Sequence, residues 1–329
     1  MLEHGGKLRQ ATQRYGRSDW LDLSTGLNPN GYPAPALAPD AWHRLPEDDP
    51  DLLAAAQACY DAPRLLAVAG TQAAIQSLPR LRAPSRVIIA SPAYAEHLHH
   101  WSQYGHRASA VAYGDLPAAV NGGADVVVVC NPNNPTGETI QRQQLLEWAA
   151  LLAARGGWLV VDEAFADTDV AHSVADCSQL PGLVVLRSVG KFFGLAGLRV
   201  GFVAAQDKLL QPLAELLGPW TISGPAQQVA RTALEDQAWQ RRTYAELRAA
   251  GGRLHRLLAA SGISAQGTAL FQWWPAAQPE AFHEHMARRG IWVRLFRDAA
   301  RGIRLGLPPD ETGWQRLEQA LNEWTKENQ

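Results

Sequence analysis

The sequence predicts an α/β fold, with a mainly parallel sheet flanked by helices and a smaller α+β domain. In the first two thirds of the 329-residue chain, short apolar runs alternate with helix-like segments, which is typical of βαβ units. After about Lys208 the pattern changes to a long helical region followed by short apolar runs, which favours a separate α+β domain. The chain length itself allows two domains.

The predicted strands of the larger domain are short and apolar, and polar or glycine-rich turns bound them. They span residues 65–68, 86–90, 125–130, 158–162, 182–187 and 199–204, with helices over segments such as 71–81, 93–104 and 142–155. The smaller domain is expected to hold a helical region over 225–261, strands at 270–274, 291–295 and 302–306, and a helix over 311–324. We therefore predict an irregular N-terminal arm over 1–40 that packs with the small domain, a large domain over 41–205 and a small domain over 206–329.

Composition and charge argue against several classes of protein. Apolar residues make up 47% of the chain and charged residues 19%, as in globular rather than disordered proteins. The net charge of −2 predicts no basic surface for nucleic acid, and no apolar run reaches the roughly 18 residues of a membrane span. Cys59, Cys130 and Cys177 are far apart and predict neither a disulfide framework nor a metal site. The first residues lack the apolar core of a signal peptide, and we expect a cytoplasmic protein.

Lys191 is the first candidate for covalent chemistry. The chain has four lysines against 26 arginines, yet it keeps one of them in the glycine-lined turn 190–197. A guanidinium supplies charge but cannot form an imine, because it stays protonated. A lysine amine can form a Schiff base once burial or neighbouring cations lower its pKa. Lys191 is therefore predicted to be the reactive group of the site.

Further polar residues gather where the predicted strands end. In open α/β sheets, ligands bind beyond the carboxyl ends of the strands. Taken singly, each residue there has an ordinary interpretation as a helix cap, a turn or a surface charge. The residues at these ends are Gly70, Thr71, Gln72, Asn134, Asp162, Ser188, Lys191 and Arg199.

In order and spacing, these residues resemble the fold-type-I pyridoxal-phosphate (PLP) enzymes of the class I/II aminotransferase group, over nearly the whole chain. Asn-Pro-Asn-Asn-Pro-Thr-Gly at 131–137 and Ser-x-x-Lys with a later Arg at 188–199 carry the resemblance. The resemblance implies PLP as cofactor, covalently bound by Lys191. It also implies that Asp162 pairs with the pyridine nitrogen and that Asn134 donates to the phenolic oxygen of the ring.

The resemblance assigns further residues to the cofactor. A glycine-led helix N-terminus can offer backbone N–H groups to a phosphate, and an arginine can bind it as a planar fork. Tyr94, in Ser-Pro-Ala-Tyr at 91–94, stands where the family stacks an aromatic ring on the cofactor. The residues implied to hold the cofactor phosphate are Gly70, Thr71, Gln72, Ser188 and Arg199.

The sequence departs from the family pattern at two positions. Phe165 stands where the family usually has a tyrosine that donates a second hydrogen bond to the phenolic oxygen, and phenylalanine cannot donate. Leu45 stands where many members place a tyrosine that reaches the cofactor phosphate of the neighbouring subunit. The family implies a homodimer with its active site at the subunit interface, although Leu45 removes the usual sequence evidence for that contact.

The substrate site is implied by the same resemblance. Arg304, in Gly-Ile-Arg-Leu-Gly at 302–306, matches the family's arginine for the substrate α-carboxylate, with Asn134 near enough to help. The arm, with His-Gly-Gly at 4–6 and Leu-Ser-Thr-Gly-Leu-Asn-Pro at 23–29, resembles the threonine-phosphate decarboxylases of cobalamin biosynthesis, which are close relatives of histidinol-phosphate aminotransferases. The candidates for binding a substrate phosphate are His4, Gly5, Gly6, Asn28 and Arg294.

Three functions remain open at this point, because fold and reaction type are separable. The arm favours decarboxylation of L-threonine O-3-phosphate to (R)-1-aminopropan-2-ol O-phosphate, with Lys191 returning a proton to Cα. The alternative is a histidinol-phosphate-type aminotransferase. A regulator built on the same fold usually carries a fused DNA-binding region, for which the arm is too short and too rich in glycine and proline.

Overall fold

The computed structural model describes residues 5–327. The α-helices found in this part of the chain, beside short 3₁₀ turns, are α1 (Leu8–Tyr15), α2 (Asp40–His43), α3 (Pro50–Tyr60), α4 (Thr71–Ser77), α5 (Ala95–Gln103), α6 (Leu116–Asn121), α7 (Arg142–Ala153), α8 (Asp207–Leu217), α9 (Gly224–Glu235), α10 (Gln237–Ala260), α11 (Pro279–Arg288) and α12 (Glu311–Glu327). The strands are β1 (Leu21–Leu23), β2 (Leu65–Val68), β3 (Arg86–Ser91), β4 (Arg107–Ala112), β5 (Val126–Cys130), β6 (Trp158–Asp162), β7 (Leu183–Ser188), β8 (Gly201–Ala204), β9 (Gln266–Thr268), β10 (Phe271–Pro275), β11 (Ile291–Phe296) and β12 (Gly302–Gly306).

The larger sheet has seven strands in the order β2-β8-β7-β6-β5-β3-β4. Its strands pair in parallel except β8, which runs antiparallel to both of its neighbours. Every residue of β5 and β7 is buried, as expected for parallel strands that are covered on both faces. The predicted mainly parallel sheet is therefore confirmed, with β8 as its one antiparallel strand among the described residues.

The smaller sheet has five strands in the order β1-β11-β12-β10-β9. β1 pairs in parallel with β11, and the remaining pairs are antiparallel. Strand β11 alternates buried and half-buried residues, whereas all of β12 is buried. This mixture of helices and mostly antiparallel strands is the α+β arrangement predicted for the C-terminal third.

Contacts between Cα atoms divide the chain into two compact units. The smaller unit comprises residues 1–30, 135–138 and 242–329, and the larger unit comprises 31–134 and 139–241. Residues 206–241 thus group with the larger unit, whereas the sequence prediction assigns them to the small domain. Their helix α9 packs against α3, and Arg231 in α9 pairs with Asp49 and Asp51 at 3.4 Å.

Two local predictions were wrong. The arm is not irregular throughout, because α1 and β1 form within it, and Leu21 and Leu23 are buried where β1 pairs with β11. The helical region predicted over 225–261 is broken at Asp236. The carboxylate of Asp236 accepts the Trp239 N–H at 2.9 Å and starts α10 as a new helix. Among residues 5–327, no helix has both the length and the apolarity to span a bilayer.

Candidate active site

The strand ends of the larger sheet bring most of the predicted site residues to one edge. Cys130, at the end of β5, lies in register with Asp162, at the end of β6. Gly201, which begins β8, pairs with Val68 on one side and with Ser188 on the other. The turns that follow β2 and β7 therefore start on either side of Gly201, at the carboxyl ends of the strands where open sheets bind ligands.

Lys191 lies in the turn after β7 and is held there by aromatic packing. Its Nζ stands 5.3 Å from the centre of the Phe165 ring, which is buried. Phe193, two residues further on, stacks on Trp239 with ring centres 5.7 Å apart and planes 13° apart. The stacking of Phe193 on Trp239 holds the backbone of the turn that carries Lys191. The contact between the Lys191 ammonium and the Phe165 ring is itself favourable.

Asp162 is a buried carboxylate with two defined partners. Its Oδ1 accepts the N–H of Ala164 at 3.1 Å, and its Oδ2 lies 3.0 Å from Nε2 of His97. The side chains of His97 and Asp162 are 2% and 7% exposed. A buried carboxylate needs such partners. Together the two contacts fix the orientation of the Asp162 carboxylate.

His97 is the site residue that the sequence analysis missed. It lies in α5, three residues after Tyr94, and the two rings meet edge to face with centres 6.2 Å apart. The available signal was this spacing, because residues three apart lie on the same face of a helix. The sequence alone does not say that this face turns toward Asp162.

Cys130 joins the same buried cluster, since its sulfur, a nitrogen of His97 and an oxygen of Asp162 lie within 4.8 Å of one another. Burial, together with the charge of Asp162, raises the pKa of the thiol well above its usual range, although the backbone N–H groups of Tyr94 and Asn134 oppose this. The cysteine therefore stays protonated and is a poor nucleophile or metal ligand. Its hydrogen bonds tie the loops that carry Tyr94 and Asn134 to the end of β5.

Gly70 and Arg199 form a cradle at the start of α4. Gly70 has φ 72° and ψ 157°, a region that is essentially restricted to glycine. A Cβ atom there would lie 2.6 Å from Nη2 of Arg199, so the guanidinium approaches the backbone closely. The Arg199 guanidinium also donates to the carbonyl of Ala196 at 2.9 Å, and the residue is exposed. A helix N-terminus beside an exposed guanidinium suits a phosphate group.

Ser188 and Thr71 complete this edge. Ser188 is buried, and its hydroxyl accepts the N–H of Gly190 at 3.1 Å. The backbone N–H of Thr71 begins α4, and a Cβ on Gly201 would lie 2.8 Å from that nitrogen. Only glycine at position 201 therefore leaves room for the N-terminus of α4 against β8.

Replacing Gly70 with alanine tests the cradle. We expect the Gly70→Ala variant to lose about 1–3 kcal/mol of unfolding free energy, because alanine does not adopt this φ and ψ without strain. The added methyl group should also displace the Arg199 guanidinium. Urea denaturation measures the loss. Gly197→Ala is the matched control, since a Cβ there meets nothing within 4 Å, and it should stay within about 0.5 kcal/mol of wild type. Equal stability of both variants would refute the strain.

In the smaller unit, Arg304 and Arg294 lie directly opposite each other on the antiparallel strands β12 and β11. Arg304 is 7% exposed and donates to the carbonyl of Ser24 at 2.9 Å. Its guanidinium carbon lies 5.2 Å from the centre of the Phe271 ring. Burial, followed by the charge of Arg294, lowers the pKa of Arg304 to about 9, and Asp22 opposes this. Like charges placed opposite each other are unfavourable, so an anion bound at this pair would be stabilising.

The glycines of the arm lie against the same loop. The Gly6 N–H donates to the Ser24 hydroxyl at 2.8 Å, and that hydroxyl donates to Asp22 at 2.6 Å. A Cβ on Gly5 would lie 2.5 Å from the Ser24 carbonyl oxygen. Asn28 is buried, and its side-chain oxygen accepts the N–H of Asn30 at 2.9 Å. The predicted residue His4 lies outside the described residues.

The fold and the order of these residues define the class of protein: the chain has the fold of the fold-type-I PLP enzymes. The chain belongs to the aminotransferase class I and II family, whose family model matches residues 45–301. The resemblance stated from the sequence is thereby confirmed, and so is the predicted fold class.

Two curated relatives match over nearly their whole length. A threonine-phosphate decarboxylase of Pseudomonas aeruginosa is 51% identical over 324 residues, which cover 98% of this chain and 97% of the relative. A threonine-phosphate decarboxylase of a Sinorhizobium species is 40% identical, with 97% of each chain covered. Among solved structures, the histidinol-phosphate aminotransferase of Sinorhizobium meliloti in complex with pyridoxal-5'-phosphate has a TM-score of 0.84 at 21% identity, covering 100% of this chain and 96% of that one. At that identity the likeness concerns the fold.

Proposed function

We propose that the chain is a PLP-dependent carboxy-lyase that converts L-threonine O-3-phosphate into (R)-1-aminopropan-2-ol O-phosphate, a building block of the nucleotide loop in cobalamin biosynthesis. The observation that carries this proposal is the 51% identity, over nearly the full length of both chains, to a protein named threonine-phosphate decarboxylase. The alternative is a histidinol-phosphate-type aminotransferase, which the likeness in fold to such an enzyme keeps open.

The residues at the edge of the larger sheet fit PLP. The glycine-led start of α4 and the exposed Arg199 suit its phosphate. The buried carboxylate of Asp162, held by His97, suits a protonated ring nitrogen. When bound, PLP supplies an electron sink conjugated to the substrate Cα. The other groups assigned to it are Thr71, Gln72, Tyr94, Asn134, Phe165, Ser188 and Lys191.

Lys191 would act twice. Its amine would hold the cofactor covalently in the absence of substrate. As an ammonium it would supply the proton that Cα takes up after CO₂ has left, the role of a general acid. Phe165, with its ring 5.3 Å from Nζ, gives the amine an apolar wall that accepts no proton.

The arginines of the smaller unit would hold the anionic groups of the substrate. Arg304 is assigned the α-carboxylate and Arg294 the substrate phosphate. Because Arg304 is buried and lies opposite a second cation, an anionic group of the substrate would be stabilised between the two arginines. The Gly5 and Gly6 backbone, which packs against Ser24, and Asn28 are assigned to the phosphate as well, together with His4.

Measuring both reactions on one preparation tests the proposed function. The decarboxylase should release CO₂ from L-threonine O-3-phosphate without an amino acceptor. An aminotransferase would instead convert its cofactor to the pyridoxamine form with a donor such as glutamate and then need a keto acid to turn over again. Release of CO₂ without an acceptor supports the proposal, whereas acceptor-dependent amine transfer without CO₂ refutes it. Failure of the purified protein to take up PLP would refute both reactions.

Replacing Arg304 separates substrate binding from stability. We expect Arg304→Met to raise the KM for L-threonine O-3-phosphate roughly a hundredfold, since truncating one side of a buried charge pair costs about 2–5 kcal/mol. The folded-state pKa lies below the ordinary value of 12.5, so the folded chain binds this proton less tightly than the unfolded chain at neutral pH. Removing the charge should therefore not lower the unfolding free energy.

Arg301→Met is the matched control for that prediction. Arg301 lies three residues earlier, is half exposed and pairs with Glu280 at 2.9 Å. Exposed ion pairs contribute about 0–1 kcal/mol, so KM and stability should both stay near wild type. An unchanged KM in Arg304→Met would mean that Arg304 does not bind the substrate. Steady-state kinetics and thermal unfolding on both variants supply the comparison.

The homodimer and the cytoplasmic location stay predictions. Three large exposed apolar side chains on the larger unit support the homodimer, since apolar surface of this kind is covered when it forms part of an interface. Trp42, Leu45 and Trp220 are 67%, 66% and 60% exposed, and Trp220 lines a cavity of about 190 Å³ together with Pro46. Light scattering of the purified protein determines its mass in solution, and a monomer at micromolar concentration would exclude the dimer.

A further inference from the structure

A chain of side-chain hydrogen bonds runs from Tyr94 into the partly buried face of α5. The Tyr94 hydroxyl donates to the side-chain oxygen of Gln72 at 3.1 Å. The side-chain nitrogen of Gln72 donates to Oε2 of Glu96 at 2.8 Å. The same carboxylate oxygen lies 3.0 Å from Nε2 of His100, one turn further along the helix. These hydrogen bonds thus join Gln72, the second residue of α4, to Tyr94, the residue that caps α5.

The carboxylate at the end of this chain decides how Gln72 is oriented. A carboxylate only accepts hydrogen bonds, so Glu96 must face the NH₂ group of the amide rather than its oxygen. The amide oxygen is then turned toward Tyr94. The reverse orientation would place two acceptors 2.8 Å apart and would turn the amide oxygen away from the Tyr94 hydroxyl. Glu96 therefore selects one of two otherwise equivalent amide orientations.

The Tyr94 hydroxyl is suited to be the donor in this chain. Burial, followed by the charges of Glu96 and Asp162, raises the pKa of Tyr94 to about 12. The hydroxyl therefore keeps its proton and donates throughout the neutral range. The side chains of Glu96 and His100 are only 13% and 12% exposed, so solvent screens their pairing less than it screens a surface pair.

We propose that Glu96 is a positioning residue that holds the Tyr94 ring in place for the cofactor, acting through the amide of Gln72. The inference rests on the proposed PLP function, in which Tyr94 lies against the cofactor ring. Glu96 itself is not assigned a contact with cofactor or substrate. The hydrogen bond to Gln72 restricts the rotation of the Tyr94 side chain before any ligand binds. This restriction lowers the entropy cost of binding a flat ligand against the Tyr94 ring.

The test is a double-mutant cycle on the apoprotein, read out by PLP affinity. Glu96→Gln keeps the shape of the side chain but removes the obligatory acceptor. We expect it to raise the dissociation constant of PLP about fivefold, the effect of losing one hydrogen bond, and to alter the visible circular dichroism band of the bound cofactor. The unfolding free energy of the apoprotein should fall by no more than about 1.5 kcal/mol, the scale of one hydrogen bond. In a Tyr94→Phe background, the same substitution should change PLP affinity less than about twofold, because the hydroxyl it acts on is gone.

Glu147→Gln is the matched control. Glu147 is an exposed residue of α7 whose carboxylate also accepts from glutamine side chains, Gln143 and Gln144, both at 3.1 Å. This variant should bind PLP as wild type does. Two results overturn the inference: wild-type affinity and dichroism in Glu96→Gln, or an equal loss of affinity in the Tyr94→Phe background. Failure of the wild-type protein to bind PLP would instead refute the proposed function, so the two failures are distinguishable.

Discussion

The Lys191→Ala variant is expected to lose the decarboxylase activity by roughly four to six orders of magnitude, the scale of removing a residue that acts as a covalent group. The other described lysines, Lys7, Lys208 and Lys326, lie outside the turn that follows β7, and none of them is expected to replace Lys191. The variant should still take up PLP, since the phosphate and ring contacts assigned to Gly70, Arg199 and Asp162 stay intact. It should release the cofactor on dialysis, whereas the wild type retains it.

Borohydride reduction followed by peptide mass analysis checks this expectation. Reduction should attach the cofactor permanently to the wild-type peptide that contains Lys191 and to no peptide of the variant. Lys208→Ala is the matched control, because Lys208 is an exposed lysine of the same unit. It should keep full activity and the labelled peptide. Labelling of another lysine in the wild type would assign the covalent role elsewhere.

The sequence predicted the central strands well because their signal is local. Residues 158–162 and 302–306 were predicted with the bounds that β6 and β12 have. Strand β6 is a short apolar run, and burial on both faces makes such runs nearly continuous, whereas β12 is bounded by Gly302 and Gly306. The edge strand β4, whose residues are mostly exposed, carries no apolar run and was not predicted. Strand β1 was missed because only three residues form it, and its stability comes from pairing with the distant β11.

The site residues also divide into those with a local sequence signal and those whose role depends on the fold. Lys191 stood out through composition, and Asp162 through its place at a strand end. His97 could not be recognised, because a histidine within a helix acquires its role only when the sheet places Asp162 opposite it at 3.0 Å. The facing of Arg294 and Arg304 depends on strand register, which two separated segments do not encode locally. The roles of these residues toward cofactor and substrate stay predictions until variants are measured.

The second large effect is expected at Asp162. In Asp162→Asn, the buried anion that would stabilise a protonated ring nitrogen becomes a neutral amide of the same shape. Breaking a buried charge pair on one side costs about 3–5 kcal/mol, which at 1.36 kcal/mol per decade corresponds to a fall in kcat of roughly 10²- to 10⁴-fold. The cofactor should stay covalently attached, because Lys191 is untouched. A fall in kcat with retained borohydride labelling therefore separates this role from that of Lys191.

The matched control is a second histidine–aspartate pair in the same unit. Asp169 lies 3.0 Å from Nδ1 of His172, the distance that also joins Asp162 to His97. The Asp169 side chain is 41% exposed, so Asp169→Asn removes an equally close pair where solvent screens it. It should leave kcat within about twofold of wild type. If both substitutions lowered kcat equally, the effect would come from losing a histidine partner in general. A loss confined to Asp162→Asn means that the buried negative charge itself is required.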